Sequence, residues 1–403
     1  MKYVVILGDG MADVPVPQLD NKTPLQYAKK PNIDYLAQHG EVGLVKTVPD
    51  GIPPGSDAAN LSVMGYNPKL YYTGRSPLEA VSMGIELSDT DIAMRCNLVT
   101  LSDHPDYSQK VMLDYSSDEI SSEEASQLIE EVNRYFKKGA LEFFPGISYR
   151  HCLVWRNGPL GYKLTPPHDI LERQIGQYLP QGENSQILLD MMVKSYEFLK
   201  DHPVNKARIA KGLKPANSIW LWGEGKRPAI PKFCDKYQLK GSVISAVDLI
   251  KGIGICAGLR SIDVEGATGN IHTNFSGKAE AVLQELESGQ DFVYVHIEAP
   301  DECGHRQEIE NKAKSIEMID DQVVRIILKG LEKYPDYKVM VLPDHPTPLA
   351  LRTHTSDPVP YIIYQKTNEK ASGVKGYDEF QAKDTGILIN DGYTLMDYFI
   401  QGK

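Results

Sequence analysis

The sequence predicts an α/β protein with a largely parallel sheet flanked by helices, plus a smaller inserted α+β domain. Two observations carry the first part. Several short apolar runs lack polar alternation, as strands covered on both faces do, and helical stretches lie between them. A change of texture between about residues 91 and 180 carries the second.

Along the chain, KYVVIL (Lys2 to Leu7) reads as the first strand and stops at Gly8 and Asp9. NIDYLAQHG then reads as a helix closed by Gly40, and VGLVKTV (Val42 to Val48) as a second strand. From Asp91 the pattern changes: strands IAMRCNLVTL, KVMLDY and YRHCLVWR surround one helix, SSEEASQLIEEVNRYFKK. A Gly/Pro-rich stretch follows, from NGPLGYKLTPPHD to YLPQGENS. Beyond it come the helix SQILLDMMVKSYEFLKDHP and strands SIWLWG (Ser218 to Gly223), SVISAV (Ser242 to Val247) and DFVYVHI (Asp291 to Ile297). NKAKSIEMIDDQVVRIILKGLEKYP repeats apolar residues at three-to-four spacing, and YKVMVL and VPYIIYQ are the last strands. The domain reading is therefore a core in two parts, 1–90 and 181–403, with 91–180 inserted between them.

Charge and cysteine usage narrow the function class. Against 43 basic residues stand 54 acidic ones, a formal charge of −11, which excludes nucleic acid or an anionic membrane as the main partner. No apolar stretch nears the ~18 residues of a membrane span, and MKYVVILGDG is too short and too soon punctuated for a signal peptide. Five scattered cysteines suit neither a disulfide framework nor paired zinc spacing. A soluble, cytoplasmic protein is expected; the sequence does not report its oligomeric state.

In open α/β sheets, ligands bind beyond the carboxyl ends of the strands. Three runs end alike: KYVVIL at Asp9, DFVYVHI at Asp301, and YKVMVL at Asp344. A strand-end Asp alone is commonly a turn or cap residue. Here, however, Asp301 is followed four residues later by His305, Asp344 is joined to His345, and RTHTSDP supplies His354. Imidazoles beside carboxylates suit a first-row divalent metal, and this many ligands exceed the needs of one tetrahedral ion. Two ions would use them and would clamp the attacking and leaving oxygens of phosphoryl transfer. A nucleophile is offered by Ser56 of PPGSDAANLSVMGY, which opens a helical pattern and also reads as a plain helix N-cap. A helix N-terminus beside Gly presents free N–H groups to an anion, so the two readings are compatible.

The chain resembles the archaeal-type, cofactor-independent phosphoglycerate mutases of the alkaline phosphatase superfamily. The resemblance spans nearly its whole length and rests on GDGMAD, NKTPLQYAKKPNIDYLA, PPGSDAANLSVMGY, YTGRSPLEA, PDECGH, PDHPTP and HTSDPVP in that order. It implies an alkaline phosphatase-like core with an inserted cap domain acting as a lid. It implies one metal on Asp301, His305 and His354 and a second on Asp9, Ser56, Asp344 and His345. The ions would be Mn²⁺, or Zn²⁺, Co²⁺ or Mg²⁺, with no 2,3-bisphosphoglycerate. It further implies that Ser56 is phosphorylated while 3-phosphoglycerate and 2-phosphoglycerate interconvert.

A small anionic phosphorylated substrate needs bidentate donors, and Arg75, Arg95 and Arg150 are the candidates, with His168 and Asp169 behind them. Cys303 reads as packing. The chain departs from the family pattern at Asn60, where a His is common, at Pro343, and at Pro346 of DHPTP. These positions are expected on the rim, away from every ligand, where they would select the acceptor alcohol. An alternative from a resembling bacterial branch is a homoserine kinase-like phosphotransferase of threonine biosynthesis using the same site. A catalytically silent α/β scaffold is a third reading.

Overall fold

The apolar runs become strands of two separate sheets in the computed structural model, which describes residues 1–402. In chain order the strands are β1 (Lys2–Gly8), β2 (Glu41–Val45), β3 (Ile92–Leu101), β4 (Met112–Asp114), β5 (Leu141–Phe144) and β6 (Arg150–Trp155). They continue as β7 (Ser218–Lys226), β8 (Gly241–Ile244), β9 (Arg260–Ile262), β10 (Phe292–Ile297), β11 (Tyr337–Leu342), β12 (Val359–Gln365) and β13 (Leu388–Ile389).

The first unit comprises Met1–Tyr72 and the chain from Ala229 onward. Its sheet has eight strands in the order β13-β2-β12-β11-β1-β10-β8-β9. β9, β8, β10, β1 and β11 run parallel, and only β12 is antiparallel to its neighbours. The register sets Leu7 beside both His296 and Leu342, so three strand ends meet along one edge. On one face Val4, Ile6, Val293, Val295, Val339 and Val341 pack against Ile33, Phe275, Val282, Ile316 and Ile327 of the helices Pro31–His39, Phe275–Glu287, Ile309–Met318 and Arg325–Leu331. Val5, Leu7, Tyr294, Met340 and Leu342 on the other face are equally buried. Each such aliphatic side chain contributes ~1.5–3 kcal/mol by leaving water, which is why polar alternation is missing from these strands. The long helix expected from Asn311 is broken once, by a π-helical segment at Ile319–Val324.

The second unit is Thr73–Pro228, wider at both ends than the expected 91–180. β3 is its central strand, antiparallel to β6, β4 and β7. SIWLWG, assigned from sequence to the core, forms most of β7 and pairs with β3 instead. The helix Gln186–Leu199 follows it, because Leu188, Met192 and Leu199 share a core with Ile219 and Leu221. Among the described residues no helix is long and apolar enough to cross a membrane.

One buried ion pair ties together the loops that follow β1 and β11. Lys312 Nζ is fully buried, lies 2.7 Å from Asp13 Oδ2, and donates to the Thr347 carbonyl at 2.7 Å. Leu349 N–H also donates to Asp13 Oδ2. Lys312→Ala would leave Asp13 charged, buried and unpaired, at a cost of ~3–5 kcal/mol. Scanning calorimetry should show the corresponding fall in Tm.

Candidate metal centre and nucleophile

Three of the eight strands in the first unit deliver one carboxylate each. Asp9 follows β1, Asp344 follows β11, and Asp301 lies in the first turn of the helix Ala299–Arg306, just past β10. All three are at most 5% exposed. Gly10, at φ +62°, lets the chain turn here: a Cβ would lie 2.8 Å from Asp301 Oδ1 and 2.5 Å from Thr347 Oγ1. Its N–H, with that of His345, donates to Asp344 Oδ1.

One set of donors gathers Asp301, His305 and His354. Helical spacing of four brings His305 Nε2 to 3.2 Å from Asp301 Oδ2, and His354 Nε2 lies 3.3 Å from Asp301 Oδ1. The two imidazole Nε2 atoms are 2.8 Å apart. Across the His305 ring, Nδ1 is 3.0 Å from the Arg352 carbonyl, an acceptor that requires Nδ1–H. Without an ion, Nε2 also carries a proton, which it donates to Asp301, and that bond raises the His305 pKa to about 9. A metal ion would displace the Nε2 proton, and the Nδ1–H tautomer then leaves Nε2 as the ligand atom. Burial alone would raise the Asp301 carboxyl, but its bonds to His305 and His354 outweigh burial and hold it well below the usual range.

A second set surrounds His345 Nε2. Ser56 Oγ lies 3.0 Å away, Asp344 Oδ2 3.4 Å and Asp9 Oδ1 3.6 Å. Thr347 O–H donates to Asp301 Oδ1, so its oxygen is free to accept from His345 Nδ1 at 3.3 Å, which leaves Nε2 bare. Burial lowers the His345 pKa. Asp9 is pushed well above the carboxylate range, first by burial and then by Asp344, Asp301 and Glu298. Asp9 Oδ1 is buried without a hydrogen-bond partner among the described residues. An orphaned carboxylate oxygen facing a bare imidazole nitrogen is what a cation site presents before the cation binds. Ligands ~2.0–2.2 Å from one ion sit ~3–3.5 Å apart, and the donor separations here run from 2.8 to 3.6 Å around that range. The residues therefore fit divalent metal.

Ser56 is not the helix cap that its position suggests. Gly55 is the N-cap of the helix Ser56–Val63, and Ser56 is its first helical residue. Its hydroxyl therefore points to His345 rather than being spent on a backbone N–H.

In the second unit four of the five candidate substrate residues, Arg75, Arg95, His168 and Asp169, lie close enough for their charges to interact, and Arg150 is linked to them only through Tyr149, which Arg95 also influences. Arg75 and Arg95 both lower the His168 pKa, after burial and against Asp169, and Arg150 and Arg95 both act on Tyr149. Glu79 binds the two arginines: Arg95 through Nε at 2.8 Å and also through Nη2, Arg75 through Nε at 2.9 Å. The Arg95 guanidinium sits 4.6 Å over the Trp222 ring, whose neighbour at 5.4 Å is His168. Arg150 is exposed beside Tyr149, and Asp169 is also exposed. Trp222 was unassigned from sequence, although an aromatic next to basic residues is a usable sign.

A family model described as 2,3-bisphosphoglycerate-independent phosphoglycerate mutase matches residues 37–205. A protein of Geobacter sulfurreducens named as a probable 2,3-bisphosphoglycerate-independent phosphoglycerate mutase is 50% identical over 400 residues, covering 99% of this chain and 100% of its own length. The chain belongs to that family. A Methanothrix thermoacetophila member is 48% identical over 403 residues, with both chains covered in full. Among solved structures, a cofactor-independent phosphoglycerate mutase from Thermoplasma acidophilum aligns with a TM-score of 0.67 at 28% identity, covering 100% of this chain and 99% of its own. The PH0037 protein from Pyrococcus horikoshii aligns at 0.83 and 29%, covering 99% and 96%.

Membership in the family sharpens one departure from its pattern. Asn60, expected on the rim away from every ligand, is fully buried against two proposed ligands. Its Nδ2 donates at 2.8 Å to Asp344 Oδ2 and at 2.8 Å to the Ser56 carbonyl, while its Oδ1 accepts from the buried Tyr294 hydroxyl at 2.6 Å. It sits one helical turn after Ser56, which places it over the same carboxylate. Asn60→Ala should weaken binding of one ion by ~10–100-fold, read by titrating metal-stripped protein with Mn²⁺ in a calorimeter.

The sequence reading also missed His296. It lies inside β10, fully buried, with Nε2 2.9 Å from Asp9 Oδ2 and Nδ1 3.2 Å from Ser245 Oγ. Burial lowers its pKa to about 3, so it is a neutral imidazole. A histidine in an otherwise apolar strand, one residue before the strand ends and five before Asp301, was the available signal.

Proposed function

We propose that this chain interconverts 3-phosphoglycerate and 2-phosphoglycerate through a phosphoserine at Ser56, without 2,3-bisphosphoglycerate. The observation that carries the reading is Ser56 Oγ, unspent on capping, 3.0 Å from His345 Nε2 within the carboxylate and imidazole cluster. The family relationship supports it, since the relatives reported above bear the mutase name. That leaves the homoserine kinase-like alternative without support.

Asp301, His305 and His354 would hold one divalent ion, and Asp9, Ser56, Asp344 and His345, whose donors meet around His345 Nε2, the other, with Mn²⁺ the expected metal. Bound there, such ions lower the pKa of a coordinated hydroxyl and take up charge on a transferring phosphoryl group. Ser56 Oγ attacks phosphorus, the bond from phosphorus to the C3 oxygen breaks, and glycerate leaves with a proton on that oxygen. The 2-hydroxyl then attacks the phosphoserine, gives up its proton, and restores Ser56. No proton or electron is gained or lost in the whole cycle. Water has to be kept out between the halves, because hydrolysis of phosphoserine would make the enzyme a phosphatase. In the second unit, we assign Arg75, Arg95 and Arg150, with His168 and Asp169, to recognition of the carboxylate and phosphate. Because Glu79 already occupies one edge of Arg95, that residue offers its remaining N–H groups.

The test is Mn²⁺-loaded protein with 3-phosphoglycerate, coupled to enolase and free of 2,3-bisphosphoglycerate. Turnover is expected. Its absence, together with phosphoryl transfer to homoserine from a phosphorylated donor, would replace the mutase reading with the kinase-like one.

A further inference from the structure

Asp9 has two carboxylate oxygens in very different surroundings. Oδ1 is buried, unpartnered among the described residues, and 3.6 Å from His345 Nε2. Oδ2 is 2.9 Å from His296 Nε2. Behind the imidazole, Val247 N–H donates at 3.0 Å to Ser245 Oγ, and Ser245 Oγ lies 3.2 Å from His296 Nδ1.

The donors in this chain can be assigned in one direction. Val247 N–H fills one lone pair of Ser245 Oγ, and among the described residues the hydroxyl hydrogen has no acceptor other than Nδ1, so it donates there. An Nδ1 that accepts leaves the proton on Nε2, and that proton faces Oδ2. Both ring nitrogens of His296 are then in use, one as acceptor and one as donor. For His296 to ligate an ion itself, it would have to surrender the bond to Asp9.

We propose that His296 is a positioning residue: with its tautomer set by Ser245, it holds Asp9 by Oδ2 and keeps Oδ1 turned to the cation site. The proposal rests on the metal-dependent reading above. Orientation matters here because a carboxylate free to rotate would offer either oxygen to several neighbours and lose order on binding the ion.

The experiment is calorimetric titration of metal-stripped full-length protein with Mn²⁺ alone, in wild type, His296→Ala, His296→Gln and Ser245→Ala. Circular dichroism checks the fold of each variant. Two binding events are expected in wild type, one of them weakened ~10–100-fold in His296→Ala and about 10-fold in Ser245→Ala. His296→Gln, whose amide N–H can reach Asp9, is expected to return within about threefold of wild type, because the held carboxylate and not the imidazole is what the ion meets. If His296→Gln binds as poorly as His296→Ala, the imidazole is a direct ligand and the positioning role is wrong. Unchanged affinities in both His296→Ala and Ser245→Ala would also overturn it, while leaving the metal-dependent reading intact. A wild-type protein that binds no Mn²⁺ would take both down together. Should His296→Ala fail to fold, Ser245→Ala and His296→Gln still decide, since only positioning predicts a loss in the first and retention in the second.

Discussion

Replacing Ser56 with alanine is expected to reduce mutase turnover by ~10⁴-fold or more, the scale on which removing a covalent nucleophile acts. The fold should survive. Gly55, not Ser56, is the N-cap of the helix, so the substitution removes no capping bond, and alanine is the best helix former at the position it enters. Tm in metal-free buffer should fall by no more than about 3 °C, because the substitution loses only the half-buried bond to His345, worth ~1 kcal/mol. Metal affinity at the His345 set should fall as well, because Ser56 Oγ is one of the four donors gathered there. Acid-quenched wild-type enzyme incubated with substrate should yield a phosphorylated peptide containing Ser56, and Ser56→Ala should yield none. Activity above about 1% of wild type in the alanine variant would mean that another group receives the phosphoryl group.

The strands that build this centre were legible for a physical reason. β1, β10 and β11 are buried on both faces, so each is a nearly continuous apolar run whose end is conspicuous. The residues just past those ends, Asp9, Asp301 and Asp344, are brought together because parallel neighbours finish on the same side of the sheet. What periodicity cannot show is partnership. SIWLWG looks like a core strand, yet β3 is its partner, and only the pairing says so. Asn60 reads as a polar residue on a short helix, and nothing local announces that its amide is buried against Asp344. His296 was hidden by the same pattern that revealed β10, since its neighbours Tyr294 and Ile297 are buried too and the eye follows the apolar run past it. Ser56 illustrates a finer limit: a one-residue shift of the cap, from Ser56 to Gly55, separates a structural hydroxyl from one available to chemistry.

Stripping divalent metal with a chelator should abolish turnover and lower Tm, and the size of the Tm loss should grow as pH rises. The cause is the charge density of the centre. Asp9, Asp301 and Asp344 are buried together, and metal supplies the positive charge that makes three ionised carboxylates tolerable there. Without it the two acids whose pKa values shift move in opposite directions. Asp9 is raised, by burial first, so the stability it contributes is complete below its unfolded pKa near ~4 and is lost as pH rises through its folded value. Asp301 is held low by its histidines despite burial, so its contribution is present above ~4 and is lost only as pH falls through its folded value. Across the range above ~4 Asp9 therefore pulls the stability of the metal-free protein downward as pH rises, and above ~6.5 so does His305, whose pKa is raised to about 9. His296 and His345, lowered by burial, pull the other way up to ~6.5, but the difference between metal-free and loaded protein follows the protons that the ion displaces from Asp9 and His305. The loaded protein behaves in the opposite sense, since ligation needs deprotonated carboxylates and bare imidazoles, and protons compete with the ion as pH falls. The gap between the two forms must widen from acid toward neutral pH. At 100 times the dissociation constant, Mn²⁺ should contribute ~2.7 kcal/mol per site to stability. Scanning calorimetry at several pH values, with and without Mn²⁺, reads this directly. A metal-dependent rise in Tm that is constant or shrinks with pH would mean that Asp9 is not among the groups that meet the ion.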